Sequence, residues 1–141
     1  MSRMLRGLAI DRHYLLLSVV TETYKARNTV PEMRDVCERT AWQHLAEFPK
    51  LADALIAQDK ECGGTGRLPR VQTFRHLATL LAENGEYDKA VEVCEQAISF
   101  GVPNGTDGGF EERVARIREL QRREEETIEQ RRPAARVDAV A

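Results

Sequence analysis

Two short runs of apolar residues at helical spacing lie between Val71 and Pro103 and form the clearest pattern in the chain. In each run the apolar positions recur every three or four residues, which is the period of one helical face. Gly85 separates the runs and suits the left-handed conformation that ends many helices, and Gly101 ends the second run. The pattern predicts an antiparallel helical hairpin over residues 71–100. The two faces consist of Phe74, Leu77, Ala78 and Leu81, and of Tyr87, Ala90, Val91, Cys94, Ala97 and Ile98.

A longer apolar stripe before this hairpin predicts a helix from about Asp11 to Arg27. The stripe consists of Ile10, His13, Tyr14, Leu17, Val20, Thr21 and Tyr24. Leu15 and Val19 fall outside it, so we expect them on the opposite side of the helix. Two interpretations stay open. Residues 1–9 could fold back and cover this apolar spot, or the spot could be exposed and contact a partner.

The next segment carries signals for a helix, a break and a short helix. Residues 29–32, Thr-Val-Pro-Glu, have the form of a capping box, so a helix is expected to begin there and run to about Phe48. Pro49 is expected to interrupt it and to leave a separate short helix over residues 50–61. The first two helices would then form a hairpin over residues 10–48.

A last helix is predicted over residues 109–131, after a glycine-rich stretch. Its apolar face would cover the open side of the hairpin over residues 71–100, as the end helix of a short helical stack does. That face consists of Phe110, Val114, Ile117 and Leu120. Residues 133–141 are expected to be a disordered tail.

The hairpin over residues 71–103 resembles a tetratricopeptide repeat. That family places a large residue, a Leu and a small residue on its first helix, G-x-Y-x-x-A in the turn, and Pro near the end. The matching positions here are Phe74, Leu77, Ala78, Leu81, Gly85, Tyr87, Ala90, Ala97 and Pro103. Pro103 falls one place late. A fainter copy of the same order begins sixty positions earlier, at Tyr14. The resemblance implies an all-α, right-handed stack of antiparallel helical hairpins with a C-terminal capping helix, in one domain of residues 1–132.

The resemblance also implies a function, because the first helix of each pair lines a concave groove in this family. The expected activity is non-catalytic: an interaction module or assembly adaptor that binds a segment of a partner protein. The expected groove residues are Arg12, Leu15, Val19, Glu22, Gln72, Arg75, Thr79 and Glu83. The alternative is self-association as a structural subunit, through the apolar spot or the charged last helix.

The composition of the chain narrows the classes of partner and ligand that can be expected. Lys and Arg total 21 against 23 Asp and Glu, a formal net charge of −2, so no basic excess points to nucleic acid. In the last helix the arginines are matched by glutamates at pairing distance. The three cysteines are widely and irregularly spaced, which fits neither a disulfide framework nor a zinc site, and the three histidines are scattered. We therefore expect no metal, no cofactor and no catalytic constellation.

The glycine-rich stretches at residues 63–66 and 104–109 leave a third hypothesis, a phosphate or nucleotide ligand. Neither stretch is followed by Gly-Lys-Ser/Thr, so a turn and a helix cap explain them better. No segment approaches the ~20 apolar residues that span a bilayer, and residues 1–10 do not have the pattern of a signal peptide. A cytoplasmic protein is expected.

Overall fold

The computed structural model describes residues 2–132, which form five α-helices and no strand. The helices are α1 (Arg3–Lys25), α2 (Pro31–Glu61), α3 (Gln72–Glu83), α4 (Tyr87–Phe100) and α5 (Gly109–Gln130). The all-α prediction is confirmed. The tail predicted over residues 133–141 lies outside the described residues.

The hairpin of α3 and α4 forms where its apolar pattern predicts. All four residues of the predicted α3 face are fully buried. Gly85 has φ of 80° and Gly101 has φ of 77°, so both adopt the left-handed conformation expected of helix-ending glycines. In α4 the face is rotated slightly, since Val93 is buried while Ile98 is 39% exposed.

Helix α1 differs from its prediction in length and in rotation. It begins at Arg3, capped by the Ser2 hydroxyl, so Leu5 belongs to the same helix and cannot fold back over Leu15. Its buried residues are His13, Leu16, Val20 and Thr23, whereas Tyr14, predicted to face the core, is 49% exposed. Three consecutive leucines at positions 15–17 make the apolar pattern ambiguous. The observed rotation of α1 about its axis is the one that allows the buried polar contact of His13, which is described below.

Helix α2 runs unbroken through Pro49, so the predicted break and separate short helix are wrong. A proline inside a helix costs about 3 kcal/mol or more. Leu51 and Leu55, in the turns that follow, are buried, and burying such a side chain contributes about 1.5–3 kcal/mol. Packing therefore offsets the proline. The predicted capping box is also wrong, because the Thr29 hydroxyl donates to the Ala26 carbonyl oxygen and does not cap α2.

One hydrophobic cluster extends through all five helices. Helix α1 packs on α2, both pack on α3, α3 packs on α4, and α4 packs on α5. At the centre the ring of Phe48 meets those of Phe74 and Phe100 edge-on, with centroids 5.3 and 4.9 Å apart. Such edge-to-face pairs add to the stabilisation from burial. Helix α5 joins the cluster through Phe110 and Ile117.

Candidate partner-binding surface

The predicted groove residues of α1 do not form one surface with those of α3. Arg12 donates from Nε and Nη2 to the Glu47 carboxylate, at 2.8 and 2.7 Å, and is thereby held against α2. This pairing lowers the pKa of Glu47 to about 2. Glu22 is exposed and lies 3.5 Å from Lys25 on its own helix. Within residues 2–132, neither Arg12 nor Glu22 forms a hydrogen bond or ion pair with α3.

Leu15 and Val19 lie away from the side of α1 that meets α3. That side is marked by Tyr24, whose ring stacks on His76 with centroids 4.0 Å apart. Nine positions separate Leu15 from Tyr24, and at about 100° per residue this places them on opposite faces of the helix. Leu15 is 59% exposed and Val19 is half-buried. In this structure Leu15 and Val19 therefore lie on a different side of α1 from the predicted groove residues of α3.

The exposed spot at Leu15 continues along α1 toward its start. Met4, Leu8 and Leu15 are 73, 60 and 59% exposed and recur at helical spacing on one face. We call these three residues the α1 patch. The sequence pattern predicted only the Leu15 end of this patch, because the first clear helix was expected to begin at about Asp11 and residues 1–9 to form a short helix or an arm.

The groove residues predicted on α3 have a different setting, because α5 lies alongside them. Thr79 accepts a hydrogen bond from Arg113 Nη1 at 3.2 Å. Glu83 is bound by Arg27 and Arg34, at 2.9 and 3.0 Å, which lowers its pKa. Arg75 and Gln72 are half-buried, and the Gln72 side-chain oxygen is buried without a hydrogen-bond partner among the described residues.

A slot of about 400 Å³ lies between α3 and α5 and contains two of the predicted groove residues, Thr79 and Glu83. We call it the α3–α5 slot. Two small residues of α3, Ala78 and Ala82, leave room for it, and apolar and cationic side chains line the rest. The full lining is Ala78, Thr79, Ala82, Glu83, Tyr87, Arg113, Arg116, Ile117 and Leu120.

The arginines at this slot carry charge that no nearby carboxylate neutralises. Arg113 and Arg116 line the slot, and Arg75 lies one turn of α3 before Thr79. Within residues 2–132, none of these three arginines forms an ion pair. Arg113 is half-buried, and it donates hydrogen bonds to two neutral acceptors, the Thr79 hydroxyl and the side-chain amide oxygen of Asn104. Burial lowers the pKa of Arg113, and the like charges of Arg116 and Arg75 lower it further. Arg116 and Arg75 are thus close enough to Arg113 for their charges to lower its pKa.

Sequence reasoning missed the α5 half of the slot. Arg113, Arg116 and Leu120 have i, i+3, i+7 spacing, which places them on one helical face. Leu120 was expected to cover the hairpin, yet it is 50% exposed, and the arginines were expected to pair along their helix. The spacing of these residues was visible in the sequence. The sequence does not show which helix lies beside α5, so the slot could not be predicted from that spacing.

A buried hydrogen-bonded chain ties α1, α2 and α3 together beneath these surfaces. His13 Nδ1 lies 2.9 Å from His44 Nε2, and His44 Nδ1 lies 2.7 Å from Thr73 Oγ1, all three side chains being fully buried. We assign the protons to the two Nδ1 atoms, because His13 Nε2 has no partner and an orphaned lone pair is more readily tolerated than an orphaned N–H. Burial lowers the pKa of both imidazoles to about 4.

The glycine-rich stretches are already supplied with carboxylates. Asp59 accepts hydrogen bonds from the amides of Gly66 and Arg67, at 2.9 and 3.0 Å. At the start of α5 the Glu112 carboxylate lies against Gly108. Both arrangements place a negative charge where a phosphate would have to bind, which weighs against the third hypothesis.

The described residues offer neither a cluster of metal ligands nor a helix that could cross a membrane. No group of three or more His, Cys, Asp or Glu is placed to hold a metal ion in residues 2–132. No helix in the same part of the chain is long and apolar enough to cross a membrane. Comparisons of the chain with protein-family models, with curated proteins and with solved structures give no match.

Proposed function

We propose that this chain is a non-catalytic protein-interaction module of tetratricopeptide-like architecture, which binds a segment of a partner protein beside α3 and α5. The observation that carries the proposal is the α3–α5 slot, which combines an apolar floor with unpaired arginines at its edge. A concave surface with a few well-placed polar groups is the usual form of a binding site.

The order of helix contacts supports the architectural part of the proposal. The hairpin of α1 and α2 packs on α3, and α4 packs on α5, while α5 reaches α3 through the hydrogen bond from Arg113 to Thr79. In such a stack the first helices of successive hairpins are neighbours, as α1 and α3 are. The motif residues Gly85, Tyr87 and Ala90 lie at the turn and start of the second helix of the hairpin.

The test is a selection from a random library of peptides of about a dozen residues, followed by titration of the selected peptides. Binding should be saturable and lost in Leu120→Asp, which puts a carboxylate in the slot wall. The matched control is Ile128→Asp, since Ile128 is on the same helix, 60% exposed and outside the slot lining. Equal binding to both variants, or a selection that yields no binder, would contradict the proposal.

A second candidate, self-association as a structural subunit, is favoured by the α1 patch. Large apolar side chains exposed on one face are common at interfaces between subunits. The measurement is the solution mass by sedimentation over a wide range of concentration. A mass that rises with concentration and returns to that of a monomer in Leu8→Glu supports this candidate, and a monomer at every concentration excludes it.

A further inference from the structure

We infer that the segment recognised by this protein is acidic, and that it inserts one aliphatic side chain into the α3–α5 slot while its carboxylates bind Arg75, Arg113 and Arg116. This inference rests on the proposed function and specifies the chemistry of the partner. It is carried by the shape and lining of the slot and by the charges around it.

The interior of the slot suits an aliphatic side chain. Its floor is formed by Ala78 and Ala82, and its α5 wall by Ile117 and Leu120. At about 400 Å³ the slot lies toward the lower end of the range for ligand pockets, so it suits a side chain with its adjoining backbone. A buried aliphatic anchor surrounded by polar contacts is the usual arrangement of a peptide site.

The charges around the slot select an acidic segment. Glu83, the one carboxylate in the lining, is already paired with Arg27 and Arg34. The arginines at the slot have no such carboxylate partner within residues 2–132, as described above. A bound carboxylate would gain charge-assisted hydrogen bonds from these guanidinium groups, and two of them belong to the half-buried residues Arg75 and Arg113.

The same surroundings favour a protein segment over a nucleic acid. Nucleic acid binding without sequence preference needs a positive track and aromatic faces for the bases. At this slot the one aromatic side chain in the lining is Tyr87, and its hydroxyl donates to Glu124, so the lining offers no row of aromatic faces on which successive bases could stack.

The experiment measures fluorescence anisotropy with labelled peptides in which one Leu is flanked by Asp and Glu between Gly-Ser ends. Two probes serve as controls: the same peptide with Lys in place of each acidic residue, and the acidic peptide with Ala in place of Leu. We expect the acidic Leu peptide to bind at least about tenfold more tightly than either control. We also expect its binding to weaken as salt concentration rises.

Charge reversal tests the assignment to particular arginines. Arg116→Glu should weaken binding of the acidic peptide by about tenfold or more and should improve binding of the Lys peptide. Arg39→Glu is the matched control, because Arg39 is an exposed arginine of α2, far along the chain from the slot. Circular dichroism verifies that both variants keep the helical content of the natural chain.

The outcomes separate this inference from the function on which it rests. Selected peptides that lack acidic residues but lose binding in Leu120→Asp would leave the proposed function standing and overturn the inference. Equal affinity for the acidic and Lys peptides would also overturn it, as would displacement of the acidic peptide by a single-stranded oligonucleotide at equal concentration. A random library that yields no binder at all would contradict both this inference and the proposed function.

Discussion

Acidification from about pH 7 to about pH 5 should destabilise this fold through the buried pair of His13 and His44. In the folded chain both imidazoles have a pKa of about 4, against 6.5 for an unperturbed histidine, because burial disfavours the charged form. Both stay neutral at about pH 5 while the unfolded chain binds a proton on each. The unfolded state therefore binds more protons, and the free energy of unfolding falls as the pH falls.

The magnitude follows from the two pKa values. With 6.5 unfolded and about 4 folded, each histidine lowers the free energy of unfolding by about 2 kcal/mol between about pH 7 and pH 5. His76 contributes in the same direction, since burial and the nearby Arg75 and Arg27 lower its pKa to about 4 as well. The three histidines together should remove about 6 kcal/mol, which is a large part of the stability of a typical domain.

One carboxylate relieves part of this cost. Glu47 raises the pKa of His44, but by less than burial lowers it, and Glu47 is itself held by Arg12 and Gln43. The carboxylates with lowered pKa are Glu47, Glu83 and Glu119, and the stability that they contribute is lost only as the pH falls below their ordinary value of 4.5. At about pH 5 the histidines thus dominate the change.

The assay is urea unfolding followed by circular dichroism at both pH values. The natural chain is compared with the double variant His13→Gln/His44→Gln, whose amides keep hydrogen-bonding groups that do not titrate. The natural chain should lose about 6 kcal/mol and the variant about 2 kcal/mol, the share of His76. Histidine pKa values read by NMR on the folded chain give a second measure. A variant that loses as much stability as the natural chain, or folded imidazoles that titrate near 6.5, would refute the reasoning.

Three further predictions concern the fold and its surface. Pro49→Ala should raise the free energy of unfolding by about 1–3 kcal/mol, because Pro49 lies exposed inside an unbroken helix; a lower melting temperature would contradict this. Phe48→Ala should destabilise the chain by about 3–5 kcal/mol in urea, because its ring is fully buried among those of Phe74 and Phe100; a change below ~1 kcal/mol would show that the centre of the cluster is misassigned. Leu15→Asp should change stability by no more than ~0.5 kcal/mol, because Leu15 is mostly exposed, and unfolding of this variant would mean that it packs in the core.

The parts of the fold that the sequence predicts well are those in which a single period explains the whole segment. In α3 the apolar positions form one unambiguous stripe, and glycines stand where the chain must become left-handed, so its face and end were both predicted. In α1 three adjacent leucines allow several rotations, and the choice among them depends on His13 meeting His44 from another helix. The sequence of α1 alone does not show that contact.

Two other failures have a similar cause. The rule that proline interrupts a helix accounts for the free-energy cost of Pro49. It does not account for the burial of Leu51 and Leu55 against other helices, which keeps α2 intact. The α3–α5 slot needs two helices from different parts of the chain, so only its Thr79 and Glu83 side was predicted. Pairing rules within one helix could not show that Arg113 turns toward Thr79.

The measurement that tests the central claim most directly is an amide chemical-shift titration of the labelled protein with the acidic Leu peptide. Binding in the α3–α5 slot should produce saturable shifts that cluster at Thr79, Ala82, Arg116 and Leu120, on the two helices of the slot. Shifts that cluster instead at Met4, Leu8 and Leu15 on α1, or a spectrum unchanged by the peptide, would contradict it.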